Sequence, residues 1–310
     1  RPYRVAMNVT LTGATGLIGT KLVRALRERG DTVTVLSRSP GKARSALGVD
    51  AVAWDPLAGP APAEALAGRD AVVHLAGEPV AQRWSAKVKQ AIRDSRETGT
   101  RNLVEGLRAV GAGGAGGDRV LVSSSAVGYY GRHGDERVPE STPPGEDFLS
   151  RICVLWEQEA QRAAELGLRV VEIRTGVVLD ASGGALKTML PPFKLGVGGP
   201  VAGGDQYLPW IHVDDLVGLY LKALDDPSWS GAYNGSAPEP VTNKDFSKAL
   251  GRALHRPAVA PVPGFALRLL YGEMAEIVTE GQRAVPERAL AGGYTFRHAD
   301  LAEALADTLA

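Results

Sequence analysis

The sequence predicts an α/β protein, a doubly wound parallel sheet with a smaller C-terminal lobe. Three observations carry that expectation. Brief β-branched runs alternate with longer amphipathic ones through the first half of the chain, which calls for parallel strands with helices on both faces. A glycine loop, Gly13-Ala14-Thr15-Gly16-Leu17-Ile18-Gly19, joins the first such run directly to the first amphipathic one. After Leu179 the texture changes to glycine- and proline-punctuated chain, and from about Pro238 to helical segments interrupted by prolines.

The strands come first in this reading. Asn8 to Thr12, Thr32 to Ser37, Ala51 to Trp54, Ala71 to Ala76, Arg119 to Ser124 and Val170 to Arg174 are short, apolar and bounded by Gly, Asp or Pro, as buried strands are. Leu17 to Arg29, Ser85 to Val110 and Phe148 to Leu166 repeat apolar residues at three- and four-residue spacing and read as helices. Trp210 to Val213 and Ala232 to Asn234 read as returns to the sheet. Gly111 to Gly117 reads as a connector, because no helix follows it to supply a positive N-terminus. The expected division is 1–179 with 208–236 in the sheet domain, and 180–207 with 237–310 in the lobe.

Composition excludes several classes of function. The 310 residues carry 35 lysines and arginines against 35 aspartates and glutamates, so no global field recruits nucleic acid or an anionic membrane. A single cysteine forbids an internal disulfide and fits a reducing compartment. No apolar run is long enough to span a bilayer. The first residues lack the apolar core of a signal peptide. The expectation is a cytoplasmic protein whose partner is a small-molecule substrate, with no nucleic acid and no membrane.

The glycine loop carries the first functional signal. Between a strand and a helix, Gly13 allows a tight turn, Gly16 lets the backbone approach a diphosphate, and Gly19 lets helix pack on strand. Thr12, Thr15, Leu17 and Ile18 belong to the same cofactor cradle, with the diphosphate at the helix N-terminus. The second strand ends Ser37-Arg38. An NAD enzyme usually places an acid there for the ribose hydroxyls, whereas Arg38 can clamp a 2′-phosphate and Ser37 can add a hydroxyl. The expected cofactor is therefore NADP(H). Leu75, Ala76 and Gly77, closing the fourth strand, leave room for the adenine and ribose, and His74 reads as a core histidine.

Several stretches together resemble a known family. Leu75-Ala76-Gly77-Glu78-Pro79, Ser123-Ser124-Ser125-Ala126-Val127-Gly128-Tyr129-Tyr130-Gly131, Arg174 to Leu179, Met189 to Pro200, Trp210 to Asp215 and Gly281-Gln282-Arg283 are similar to the YfcH-like epimerase-family proteins. These are atypical extended short-chain dehydrogenase/reductases. The resemblance runs from the first glycine nearly to the C-terminus. It implies a Rossmann fold, NADP(H) binding with Val177 beside the cofactor, and a small C-terminal substrate lobe. It names no substrate.

The resemblance also exposes a departure. Typical extended members place a tyrosine and, four residues on, a lysine that lowers the tyrosine's pKa; here those positions hold Leu149 and Cys153. Ser125 is the nearest counterpart of the usual catalytic serine, and Tyr130, in a turn one residue longer than usual, is expected to reach into the site. Those two are the candidate catalytic residues. Cys153 reads as a packed residue. Arg96 stands where typical members carry an asparagine and is expected to meet a cofactor phosphate, ribose or substrate carboxylate. Leu208 and Pro209 replace the arginine that binds sugar-nucleotide phosphates in epimerases. Asp214 or Asp215 is expected to cap a helix, with His212 structural, and no metal site is expected. The leading expectation is an NADP(H)-dependent oxidoreductase acting on a small carbonyl or enone. The alternatives are a catalytically silent NADP(H)-binding sensor or interaction protein, and then a sugar-nucleotide epimerase.

Overall fold

In the computed structural model, which describes residues 6–111 and 119–310, seven strands form one wholly parallel sheet. They are β1 (Asn8–Thr12), β2 (Thr32–Ser37), β3 (Asp50–Ala53), β4 (Ala71–His74), β5 (Val120–Ala126), β6 (Arg169–Thr175) and β7 (Gly231–Gly235). Their spatial order is β7-β6-β5-β4-β1-β2-β3. The chain winds outward from β1 in one direction through β3, then crosses to β4 and winds the other way. That reversal opens a crevice at the carboxyl ends of β1 and β4, where ligands of such folds bind.

Helices cover both faces because each has one apolar stripe to bury. On one face α1 (Leu17–Glu28) and α6 (Val213–Asp225) drive Leu22, Leu26, Leu216 and Tyr220 into the core. On the other, α3 (Ala86–Ala109) and α4 (Phe148–Gln161) bury Leu103, Leu107 and Ala160. The remaining longer helices are α2 (Pro40–Leu47), α5 (Gly184–Lys194), α7 (Asn243–Ala253), α8 (Gly264–Tyr271) and α9 (Leu301–Leu309). Ser85 caps α3 by accepting from Val88 N at 3.2 Å, and Asp147 caps α4 by accepting from Ser150 N at 2.9 Å, each satisfying an N–H that the helix leaves unpaired. The helix predicted to reach Leu166 is α at its start and tightens to a 3-10 turn over Arg162–Leu166 before Gly167, φ +82°, ends it.

A separate apolar cluster gathers Leu186, Phe193, Trp210, Phe246, Leu250 and Leu305. Trp210 marks one correction. Trp210–His212 does not rejoin the main sheet; it pairs with Val177–Leu179 in a two-stranded ribbon. The chain after β6 peels away at Gly176, where any Cβ would strike Pro209 O at 2.3 Å, and Trp210 follows it. The ion pair Lys21–Asp180, 2.9 Å, ties α1 to the start of α5's loop. All of the glycine-rich connector after Gly111, residues 112–117, lies outside the described residues. Among the described residues no helix is long and apolar enough to cross a membrane.

Candidate functional site

The crevice at the strand reversal is a cleft of about 410 Å³ lined by Gly13, Gly16, Leu75, Ser124, Val177 and Gly184, among others. Its floor is backbone held at close range. Gly13 takes φ +67°, and a Cβ there would meet Ala76 N at 2.7 Å. A Cβ at Gly19 would meet Gly13 O at 2.4 Å. Both positions are therefore closed to any side chain. Gly16 caps α1 without a side-chain acceptor, and the first turn carries no acid. The N–H groups of Leu17, Ile18 and Gly19 thus point out of a positive helix end with no side chain to receive them.

Thr12 and His74 lock this floor. Thr12 Oγ1 accepts from Leu75 N and Ala76 N, both at 3.1 Å, so its own proton goes to His74 Nδ1 at 2.7 Å. The tautomer left to the ring then donates from Nε2 to Thr100 Oγ1 at 3.0 Å. Burial, aided by the charge of Arg96, pushes His74 down to about 4, so it is neutral at physiological pH. Thr12, placed at the cofactor by the sequence, is itself fully buried and shapes the cradle from beneath. Thr15 is exposed at the loop. At the next strand end, Ser37 Oγ accepts from Ser39 N at 3.1 Å, and Arg38 is exposed, with no ion pair or hydrogen-bond partner among the described residues.

Beyond β4, polar groups pair with one another instead. Ser125 Oγ donates to Glu157 Oε1 at 2.7 Å. Glu157 is gripped by Arg174 through two parallel contacts of 2.8 Å, from Nε and Nη2. Arg174 Nη1 donates to Tyr130 OH at 2.9 Å, and Tyr130 donates to Asn234 Oδ1 at 2.7 Å. The Tyr129 ring covers the guanidinium, its centroid 3.4 Å from Cζ. Asn234 and the Glu140 carboxylate extend the network to β7. Tyr130 departs from the sequence expectation: the phenol is 1% exposed and turned into this network, because Gly131, at φ +67°, closes a short 3-10 turn instead of a swinging loop. Burial pushes Tyr130 up to about 12. Glu157 and Arg174 are the pair that local reading missed as a unit. An arginine inside an apolar strand was the available signal, since it demands a buried counter-ion.

The two positions that typical relatives give to Tyr and Lys are apolar in effect. Leu149 packs toward Gly128. Cys153 is 4% exposed, and burial, with Glu157 nearby, pushes its thiol up to about 12, which leaves it without thiolate at neutral pH. Arg96 lies one helix away, its Cζ 4.9 Å from the Trp156 ring.

At α6 the expected aspartate cap is replaced by His212, whose Nδ1 accepts from Asp214 N at 3.2 Å. Asp215 is instead fully buried, accepting from Arg297 N and His298 N at 2.8 and 2.9 Å. His212, His298 and Asp307 converge although their spacing in sequence shows no ligand pattern. With Nδ1 accepting, the neutral His212 ring carries its proton on Nε2, directed at Asp307 Oδ2, 3.2 Å away.

Residues 9–234 match the NAD dependent epimerase/dehydratase family. The chain belongs to that family. Residues 262–308 match a domain of unknown function, DUF1731. The chain is 41% identical over 300 residues to the chloroplastic epimerase family protein SDR39U1 homolog of Arabidopsis thaliana, covering 96% of this chain and 86% of that one. It is 37% identical to epimerase family protein YfhF of Bacillus subtilis, covering 98% of each. Among solved structures, human SDR39U1 (isoform 2), crystallised with NADPH, aligns with a TM-score of 0.85 at 35% identity over 97% of this chain and 99% of that one. A Corynebacterium glutamicum protein described as a nucleoside-diphosphate sugar epimerase aligns at 34% identity and a TM-score of 0.77, over 98% of this chain and 58% of that one.

Proposed function

We propose that this epimerase-family protein is an NADP(H)-dependent oxidoreductase acting on a small carbonyl or enone, without a Tyr-x-x-x-Lys pair. One observation carries the reading: the uncapped N-terminus of α1 behind the Gly13–Gly19 loop, together with an exposed Arg38 at the end of β2 that has no partner among the described residues. The N–H groups of Leu17, Ile18 and Gly19 receive the diphosphate, and Arg38 with Ser37 holds the 2′-phosphate that an acid would repel. Leu75 and Val177 wall the cleft, and Ala76 and Gly77 continue the chain from Leu75 at the end of β4. NADPH in the human relative supports the same choice. A cytoplasmic location accompanies the reading and is compatible with the lone, reduced Cys153.

When bound, NADP(H) supplies or accepts the hydride. The chain's own residues orient the substrate, exclude water and manage the proton. Ser125 is the hydroxyl assigned to that proton: in reduction its O–H, held by Glu157 Oε1, turns to the developing alkoxide, and water returns the proton to the serine. Tyr130 serves one step back, holding Arg174 and so the Glu157 carboxylate. The test is an NADPH-consumption screen over aldehydes, quinones, diketones and enones, repeated with Ser125→Ala and Tyr130→Phe. Turnover is expected to drop sharply in Ser125→Ala and mildly in Tyr130→Phe. Full turnover in Ser125→Ala would remove the hydroxyl from the mechanism.

A second reading has an observation in its favour. The hydroxyls of Ser125 and Tyr130 are already spoken for within the protein, as they would be in a silent NADP(H)-binding sensor or interaction protein. Tight NADPH binding with no turnover across the screen would put that reading first. Sugar-nucleotide epimerisation stands third, since Leu149, Cys153, Leu208 and Pro209 supply neither an acid–base pair nor a phosphate-binding arginine.

A further inference from the structure

Arg96 differs from neighbouring arginines of α3 and β6. Arg93 pairs with Glu97, Arg101 with Glu97 and Glu159, and Arg174 with Glu157. Arg96 forms no ion pair among the described residues. Its Nη1 donates to Glu78 O at 3.0 Å and, at longer range, to Ile92 O at 3.3 Å and Ser95 Oγ at 3.4 Å. Nε and Nη2 meet no acceptor among the described residues. The Glu78 carboxylate accepts from Gln82 Nε2 at 3.2 Å and acts on Arg96 through its charge without forming an ion pair.

The guanidinium is nonetheless held in place. Its plane lies by Trp156, which is 4% exposed, one turn beyond Cys153 on the inward face of α4. On the other side it rests on Gly77, where a Cβ would come within 3.3 Å of Cζ and 3.4 Å of Nη1 and Nη2. A larger residue at 77 would have to push it aside. Gly77 is exposed at the end of β4, two residues past Leu75 on the wall of the cleft. A guanidinium held at this edge with Nε and Nη2 unpaired has two donors to offer a ligand, and its fork matches a planar anion with two oxygens. The cofactor's phosphates have their own receptors on the far side of the strand reversal, at α1 and Arg38.

We propose that Arg96, clamped between Trp156 and Gly77, is the substrate-binding cation of this site, and that the substrate is a small oxo acid whose carboxylate it grips. This rests on the oxidoreductase reading, whose carbonyl substrate it narrows to an anionic one. Burial lowers the affinity of the guanidinium for its proton, yet arginine stays charged in proteins, so the grip persists across neutral pH.

The experiment is calorimetric titration of pyruvate, oxalate and inorganic phosphate into NADP⁺-loaded protein and into the protein alone, for wild type, Arg96→Gln and Arg96→Lys, with thermal melts to verify folding. Oxalate and pyruvate should bind wild type. Arg96→Gln should weaken them about tenfold or more, and Arg96→Lys, charged but without the fork, should fall between. NADPH affinity should hold in both variants. The inference is overturned if wild type binds neither carboxylate, if phosphate binds as well as oxalate, if Arg96→Gln binds oxalate unchanged, or if it loses NADPH instead. Failure of wild type to bind NADPH would defeat the oxidoreductase reading separately, while titration of the protein alone would still report on Arg96.

Discussion

Two regions along the carboxyl edge of one sheet treat their polar groups in opposite ways. At β1 and β2 the α1 N-terminus has no side-chain cap, and Arg38 has no partner among the described residues. At β5 and β6 the groups of Ser125, Glu157, Arg174, Tyr130 and Asn234 are buried and mutually bonded. Burying a polar group without a partner is costly, so a saturated network belongs to the scaffold. Donors left unpaired at an accessible edge are held for something that arrives. The lesson is that the cofactor end is built to receive and the region behind the nicotinamide end is built to stay put. Arg96, across the reversal, behaves like the first region.

That contrast breaks first in the saturated network. Arg174→Met strips the counter-ion from Glu157, whose side chain is only 13% exposed, and should destabilise the fold by about 3–5 kcal/mol. Chemical denaturation reads the loss, and NADPH affinity of the folded fraction should survive. A stability unchanged by the substitution would mean the network is not structural. Gly19→Ala should do the reverse. The added methyl meets Gly13 O at 2.4 Å and Ala14 Cα at 2.6 Å, both backbone, so the loop must open and NADPH affinity should fall by about a hundredfold or more. Fluorescence titration of NADPH checks it, and near-normal binding would show the loop geometry to be tolerant.

A pH titration sharpens the scaffold side. Burial, reinforced by Glu157, pushes Glu172 on β6 up to about 7. A carboxyl with a folded pKa above its unfolded value prefers the protonated folded state, so its stabilising effect is complete below about 4.5 and is lost as pH rises through about 7. Glu172→Gln keeps a hydrogen-bonding group for Gln161 and should flatten that decline, giving a variant relatively more stable at pH 8 than at pH 5. Identical pH profiles for the two proteins would rule Glu172 out. The smallest effect is expected at Cys153. With its thiol pushed up to about 12, native protein should resist iodoacetamide at pH 8 and react on unfolding, and Cys153→Ala should leave NADPH affinity unchanged. Rapid labelling of the native protein would show an activated thiol.

How much of this could be read from the sequence follows the distance over which each feature is encoded. The cofactor cradle is local: three glycines, a strand before and a helix after, and Ser37-Arg38 at the next strand end, all within the first 38 residues. The strands of the sheet were placed within a residue or two because buried parallel strands are continuous apolar runs. The network behind Ser125 was not readable. Tyr130 meets Asn234 across 104 positions and Arg174 meets Glu157 across 17, and no periodicity links them. The same limit turned the α6 cap from aspartate to His212, since Asp215 is claimed by backbone N–H groups of Arg297 and His298 that only the folded C-terminus brings near. Trp210 read as a sheet strand because its apolar run is genuine; its partner, Val177–Leu179, is what local pattern cannot name.

The central claim is that unpaired donors at β1 and β2 are held for NADP(H). It is tested most directly by titrating NADPH and NADH into wild type and Arg38→Ala by calorimetry. The account predicts that wild type binds NADPH about ten- to a hundredfold more tightly than NADH, the worth of one charge-assisted contact of roughly 1.5–3 kcal/mol, and that Arg38→Ala brings the two affinities together by weakening NADPH alone. Equal affinities in wild type, or an undiminished preference in Arg38→Ala, would contradict it.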